Sequence, residues 1–283
     1  MTNKVVELFG QYTRSNETLD WADLAKRQHC PFLNRKCLKI RKSEPSISIG
    51  TCSVEYGQAD NTVAICPHRL LERKQIFTDC IHLLTNHEPG NELHVVPERS
   101  VPGGSIDYFL VSAKDRKVQD FVGIELQTLD TTGTVWPERQ RFLQQHGVRV
   151  KKADVESTKT FGMNWKMTAK TTLVQLHHKI ETFECINKHL VLVAQDHLID
   201  YMQREFSFAH LANPARLGDS MHFHAYGMTA GDSRLRLQLR ERLSTDQVGI
   251  ATCLGLQVSA KVDLQQIVDQ LQRYLSDSTL LTI

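Results

Sequence analysis

No apolar run in this sequence approaches the roughly eighteen residues needed to span a bilayer, and the N-terminal MTNKVVELFGQYTR lacks the unbroken apolar stretch of a secretory signal. With both signals missing, a helical membrane protein and an exported protein are excluded as expectations, and the cytoplasm is the expected location. There is no internal repeat and no low-complexity tract, which removes solenoids and compositionally biased arrays. Net charge is also small, at +2, and alone points to no partner. What is present is ordinary for a soluble globular chain: 283 residues, 41% hydrophobic and 23% charged, long enough to bury a sizeable core.

The small net charge conceals a local excess. Between Lys26 and Lys42 stand Lys26, Arg27, Arg35, Lys36, Lys39, Arg41 and Lys42 without one acidic residue, either a stripe for phosphate backbones or a solvated face beside a metal site. Seven cysteines in a chain without an export signal argue against a disulfide framework. Cys30, Cys37, Cys52 and Cys66 crowd the first quarter, at spacings of six, fourteen and thirteen intervening residues, while Cys80, Cys185 and Cys253 are scattered as core thiols. Four thiolates suit tetrahedral zinc or a single iron, and Pro31 and Pro67 directly after Cys30 and Cys66 suggest sharply turned ligand loops. Four unrelated buried thiols are the alternative, since no pair has the tight spacing of common zinc modules. The chain accordingly divides near residue 68, with a metal-binding region over 1–68 and a second unit over 69–283.

Arg69 to His87 reads as one helix, with Leu70, Ile76, Phe77, Cys80, Ile81 and Leu84 mostly on one face. Leu93 to Val96 reads as a short strand stopped by Pro97, and Val101-Pro102-Gly103-Gly104-Ser105 as a turn. Ile106–Ser112 and Asp120–Leu126 are the best strand candidates and form a hairpin about Lys114-Asp115-Arg116-Lys117. Trp136–Gln145 and Trp165–Ile180 carry helical patterns, with a strand expected over Gly147–Val150. His189–Ala194 reads as a buried strand followed by a helix over His197–Phe206. Leu235–Leu239 and Gln247–Gln257 are expected late strands, and Leu264–Leu275 an amphipathic closing helix. The pattern is α/β.

Three polar residues interrupt the apolar hairpin strands: Asp107 in the first, Glu125 and Gln127 in the second. Burying carboxylates there is costly unless they are used. Glu125 and Gln127, two apart, share a face. If Arg116 is the centre of the turn, Asp107 and Glu125 are equidistant from it and face each other. Directly opposed residues hold their Cβ atoms about 4.5–5.5 Å apart, close enough to share one divalent cation. Neither has a basic neighbour within these strands. The bland alternative is a hairpin with one polar edge.

Asp, seventeen residues, then Glu-x-Gln resembles the metal-binding core of the PD-(D/E)xK nucleases, with Gln127 where lysine is usual. The segments GGSIDYFLVS (103–112), FVGIELQTLDTTGTVWPERQRF (121–142) and NWKMTAKTTLVQLHHK (164–179) resemble the NotI family of type II restriction endonucleases, over roughly residues 25–210. That resemblance implies a PD-(D/E)xK core, a central mixed β-sheet flanked by helices, preceded by a four-cysteine metal-binding element. It implies catalysis by Asp107, Glu125 and Gln127, with Mg²⁺ on Asp107 and Glu125, and a structural iron or zinc on Cys30, Cys37, Cys52 and Cys66. It further implies double-stranded DNA as substrate, a homodimer reading a palindrome, a cognate DNA methyltransferase in the same cell, and a GGCC-centred site such as CGGCCG cut with a four-base 5′ overhang.

Glutamine cannot supply a lysine's charge, so the metal must acidify the attacking water while Gln127 orients it. Arg139, Arg141, Arg149, Lys151 and Lys152 near the catalytic strand, and Arg234 and Arg236 later, are candidate guanine donors. Lys166 and Lys170, one helical turn apart, suit phosphate contact or a solvated face. His177, His178, His222 and His224 are expected as surface or packing residues, having no ligand-spaced partner. The threonine-rich Asp130–Trp136 loop is either a plain connection or groove-facing. Two other functions fit the same features: a metal-stapled DNA-binding regulator without catalysis, and a DNA-repair or RNA nuclease on the same core. Alanine at Asp107 separates an enzyme from a passive binder.

Overall fold

A computed structural model describes residues 4–57, 61–231 and 233–256, with 268–269 and 272–273. Val5–Leu8 (β1), Gln11–Tyr12 (β2), Thr51–Glu55 (β3) and Thr62–Ala64 (β4) form a small antiparallel sheet ordered β2-β1-β3-β4. The chain between β2 and β3 holds helix α1 (Trp21–Arg27), whose first turn is capped by the Asp20 carboxylate accepting from Asp23 N at 2.9 Å. Two short ribbons follow, His29–Cys30 with Arg35–Lys36 and Ile40–Arg41 with Glu44–Ser48.

The larger sheet has six strands: Glu92–Val101 (β5), Gly104–Lys114 (β6), Lys117–Gln127 (β7), His189–Gln195 (β8), Met221–Ala230 (β9) and Leu235–Thr245 (β10), ordered β10-β9-β8-β7-β6-β5. Its centre is parallel, β7 beside β8 beside β9, and its flanks are antiparallel, so the sheet is mixed. Helices Trp136–Gln145 (α2), Trp165–Cys185 (α3), Asp196–Glu205 (α4) and Gln247–Cys253 (α5) accompany it. The central strands read as near-continuous apolar runs because both faces are covered. Leu173, Leu176, Ile180 and Phe183 of α3 join Leu190, Leu192 and Phe223 in one core. On the opposite face Leu70, Ile76, Phe77 and Leu83 pack with Val122, Ile124, Val191, Val193 and Tyr226. Each such buried side chain contributes roughly 1.5–3 kcal/mol over exposure. Gly123 stands in the middle of β7 because a Cβ there would lie 2.5 Å from the Phe183 ring.

The two strands of the expected hairpin, α2, α3, β8 and α4 lie where the hydrophobic pattern puts them, and five expectations differ. Residues 69–87 are not one helix: a 3-10 segment Pro67–Lys74 is broken by Arg73 (φ 51°) and Lys74 (φ 57°) before a single α turn, Gln75–Thr78. The apolar face still packs on the sheet, but as short turns that follow its twist. β5 runs through Pro97 because it is an edge strand, where a missing N–H costs no ladder bond. Residues 147–150 are not a strand: Val148 and Val150 pack against the N-terminal core cluster, and Val148 N donates to Leu143 O at 2.9 Å. Gln247–Gln257 begins as helix α5, its first turn capped by the Asp246 carboxylate accepting from Gly249 N at 2.8 Å. Cys80 and Cys253 are core thiols as expected, but Cys185 is exposed at the end of α3. The expected closing helix, Leu264–Leu275, lies mostly outside the described residues.

β9 went unanticipated because two histidines interleave its apolar residues. His222 and His224 are 1% and 0% exposed, packing residues on the face shared with Tyr226. No helix among the described residues is long and apolar enough to cross a membrane.

Candidate active site

The hairpin turn is two residues, Asp115 and Arg116, both with positive φ (51° and 61°), the backbone of a type I′ turn. Lys114 pairs with Lys117, so the turn is centred between residues 115 and 116. A bulge after the Ala113–Val118 pair then shifts the register, and from Ser112–Asp120 to Tyr108–Ile124 the pairs are centred on Arg116. Tyr108–Ile124 is the last pair of that register, and one further step on the same centre brings Asp107 level with Glu125. The turn centre expected from the sequence is half a residue off, and the bulge supplies the difference.

Glu125 and Gln127 lie on the α3 side of β7, the face of Phe121 and opposite that of Ile124 and Leu126. Asp107 is exposed, and its Oδ2 accepts from Leu126 N at 2.8 Å, which ties it to the second strand. Glu125 is half-buried. Burial pushes its carboxyl up to about 7, with Asp107 adding and the Lys179 ammonium opposing. Lys179, from α3, donates to Glu125 Oε1 at 2.7 Å with side chains 10% and 13% exposed. The Gln127 amide donates to Thr128 O at 2.6 Å.

Lys179 is the site residue that the hairpin alone could not reveal, since it arrives from a helix more than fifty residues away in sequence. A signal existed: on the apolar stripe Leu173, Leu176, Ile180, Phe183, a lysine at 179 falls on the buried side, where an unpaired ammonium is not tolerated. His68 also lies in the electrostatic field of Asp107; burial and Arg35 hold its ring below the usual histidine range.

Cys30, Cys37, Cys52 and Cys66 are all buried and none is in a disulfide. Burial raises the Cys30, Cys52 and Cys66 thiols, and each of these three is raised further by at least one other of the four, Cys37 included. Backbone N–H groups of Leu33 and Phe32 donate toward Cys30, that of Gly10 toward Cys52 and that of His68 toward Cys66. Sulfurs gathered within one another's field and met by backbone donors suit thiolate ligation. Among the described residues, no three histidine, cysteine or carboxylate side chains stand at metal-gripping distances.

The candidate DNA contacts scatter into different environments. Arg139 is 3% exposed, donates to Ile49 O at 2.6 Å and to Gln140 Oε1 at 2.7 Å, and stacks on Trp136, so it is enclosed by the protein rather than presented on its surface. Burial lowers its pKa to about 10. Arg141 is tied to Glu138 and to Val155 O and Ser157 O. Arg149, Lys151 and Lys152 are exposed, Lys151 paired with Glu44 and Lys152 with Glu156. Lys166 and Lys170 are exposed on α3 and make no ion pair among the described residues. Arg234 and Arg236 are exposed near and in β10. In the basic stripe, Arg41 pairs with Asp154 at 3.0 Å and Lys39 donates to Ile65 O at 2.9 Å, so part of its charge is structural. The loop after Gln127 forms a two-stranded ribbon, Thr131–Gly133 with Phe161–Met163, leaving Thr132 exposed.

No curated protein matches the chain. The model of the family described as Restriction endonuclease NotI matches residues 22–217, which include the four cysteines, both hairpin strands and α3. That match spans more than half of the sequence and takes in every group that meets at Asp107 and Glu125. The chain belongs to the NotI family of restriction endonucleases, enzymes that hydrolyse double-stranded DNA.

Proposed function

We propose that this member is a Mg²⁺-dependent type II enzyme on a PD-(D/E)xK core, cutting both strands of a GGCC-centred palindrome such as CGGCCG and leaving a four-base 5′ overhang. The observation that carries the reading is the hairpin register: Asp107 opposite Glu125, two carboxylates on the face that α3 closes. Opposed carboxylates repel unless a cation lies between them, and hard oxygen donors suit Mg²⁺ or Mn²⁺. Asp107 and Glu125 would hold such a cation, which when bound would acidify a water and offset charge on the phosphate.

The chain's own groups do the rest. Asp107, tethered through Leu126 N, is fixed relative to β7. Gln127 orients the attacking water, or a neighbour of it, after exchanging its bond to Thr128 O. The scissile phosphate is taken in line, and the exposed Lys166 and Lys170 hold the backbone that flanks it. Arg149, Lys151 and Lys152 are the guanine donors kept from the sequence reading.

Cys30, Cys37, Cys52 and Cys66 hold one iron or zinc in the region 1–68, and 69–283 carries catalysis and recognition. Support for that site is its donor set: four unpaired buried sulfurs with backbone N–H groups turned toward three of them. Val54, Val63 and Ile65 share a core with α3 and the large sheet, so a metal there would brace the wall of the catalytic face. A palindrome cut on both strands requires a homodimer, and the host's own sites require a methyltransferase.

The test is incubation of the pure protein with a long, sequenced DNA and Mg²⁺, then mapping of the fragment ends. The expected ends are uniform, GGCC-centred and absent in excess EDTA. Ends without a GGCC centre overturn the site, full cleavage in EDTA overturns the cation, and binding without cutting overturns the enzyme in favour of a regulator.

A further inference from the structure

The Glu-x-Lys arrangement usual in these nuclease cores has Gln127 in its third slot, which leaves the site without that lysine's charge. A cation is nonetheless there. The Lys179 ammonium reaches Glu125 Oε1 at 2.7 Å from the adjoining helix, with 10% of its side chain exposed. An ammonium has three N–H donors, and one acceptor is provided among the described residues. Burying a cation with two donors unmet is expensive unless a ligand meets them.

The seat of this lysine is also built. Gly103 and Gly104 end the turn that feeds the Asp107 strand, with φ of +89° and +142°. A Cβ at Gly103 would lie 2.1 Å from His178 O and 3.2 Å from Lys179 Cα, and one at Gly104 would lie 3.0 Å from Lys179 Cε. The glycine pair admits the backbone of α3 at 178–179 and clears the lysine stem on its way to Glu125. The strand that brings Asp107 and the helix that brings Lys179 are thus shaped for each other, four residues before the aspartate.

We propose that Lys179 is a catalytic residue of DNA cleavage, supplying from α3 the charge that Gln127 lacks. Its bond to Glu125 aims it, and its two free N–H groups donate to a non-bridging oxygen of the scissile phosphate as negative charge gathers there. The water oxygen bonds to phosphorus as the P–O3′ bond breaks. The proton lost by the water passes to solvent, and the departing 3′-oxygen takes one from solvent.

This rests on the endonuclease reading, and the experiment separates the two. Wild-type protein cutting DNA supports that reading whatever Lys179 does. Single-turnover cleavage in saturating Mg²⁺ is compared for wild type, Lys179→Met, Lys179→Gln and Lys179→Arg, alongside DNA affinity in Ca²⁺, Ca²⁺ affinity of the protein–DNA complex, and thermal melting. The expected result is a loss of about 100-fold or more in the single-turnover rate constant for the neutral variants at saturating DNA. DNA and Ca²⁺ affinities stay within about threefold, and Lys179→Arg recovers about tenfold over Lys179→Met. If Lys179→Met does not fold, Lys179→Gln, which keeps a donor for Glu125, carries the reading. A folded neutral variant that cuts within about threefold of wild type overturns the proposal. So does one that binds Ca²⁺ much more tightly and cuts normally once metal is saturating, which would make Lys179 only a counter-ion.

Discussion

Two carboxylate–cation pairs, one fully buried and one largely so, are built differently. In the seam between β1 and the 67–74 segment, Arg69 is 1% exposed and each of its three nitrogens has an acceptor: Nε both Glu7 oxygens at 2.9 and 2.8 Å, Nη1 Glu72 at 3.0 Å, Nη2 Leu235 O at 3.0 Å. Glu7 accepts further from Ser53 at 2.8 Å and Glu72 from Leu237 N at 2.7 Å. Burial works to neutralise Arg69, but Glu7, helped by Glu72, reverses that and holds it above the usual arginine range. At the hairpin, Lys179 has one acceptor among the described residues; burial raises both carboxyls in spite of their cations, Glu7 above its usual range and Glu125 to about 7 with Asp107 adding, so the difference lies in how many bonds each cation makes. A saturated buried pair has nothing left to offer a ligand and serves the fold; an unsaturated one stores unmet donors and charge for a substrate.

The largest effect that would break this contrast is at Glu125. Glu125→Gln should cost about a thousandfold or more in cleavage, because it removes a cation ligand, while the melting temperature stays at or above wild type. A variant that melts much earlier would put Glu125 with the structural pairs. Arg69→Met should do the reverse, destabilising by about 3–5 kcal/mol in urea titration because Glu7 is left buried without its cation. If it unfolds at the wild-type urea concentration, the seam pair is dispensable and the distinction fails.

Cys52→Ser sharpens the comparison on the metal-binding side: bound iron or zinc, read by elemental analysis, and the unfolding midpoint should fall together. Fresh wild-type protein without either metal would leave the four thiols as plain core residues. A smaller effect comes from His222 and His224, whose rings are held at about 4 and about 3 by burial first, then by charge repulsion that would arise with His189, His82 and Arg242 for the former and with Arg242, His222 and His82 for the latter. Unfolded, each titrates near 6.5. The unfolded chain therefore binds more protons below that pH, so stability present above about 6.5 is lost as pH falls toward about 4. Urea midpoints at stepped pH should decline across that window, and less steeply in His222→Gln. The smallest expected change is in Lys170→Ala: the logarithmic salt slope of DNA binding should fall by about one, with site preference unaltered.

How much of this was legible beforehand varies by residue. The hairpin was, because Ile106–Ser112 and Asp120–Leu126 alternate around a polar turn and leave three polar residues conspicuous. The four cysteines were legible as a group, though not their burial. Arg139 was misjudged as a free donor because a sequence does not say that Trp136 and Ile49 would enclose it. The break at Arg73–Lys74 carries no glycine or proline to mark it, and the Asp246 cap that turns Gln247–Cys253 into a helix was masked by the apolar residues after it.

The sequence by itself determined the α/β class, the hairpin and the three polar residues in its strands, since these follow from side-chain periodicity and turn residues, which are local; the register past the turn was set by a bulge that the sequence does not mark. It also carried the family, through wording spread over residues 22–217. Only the tertiary structure decided which charges are spent and which are available. Arg69 and Arg139 vanish into the interior, while Lys179 swings over Gly103 and Gly104 to meet Glu125. The physical reason is that satisfaction of a buried charge is a property of distance and desolvation, and neither is written in the order of residues along the chain.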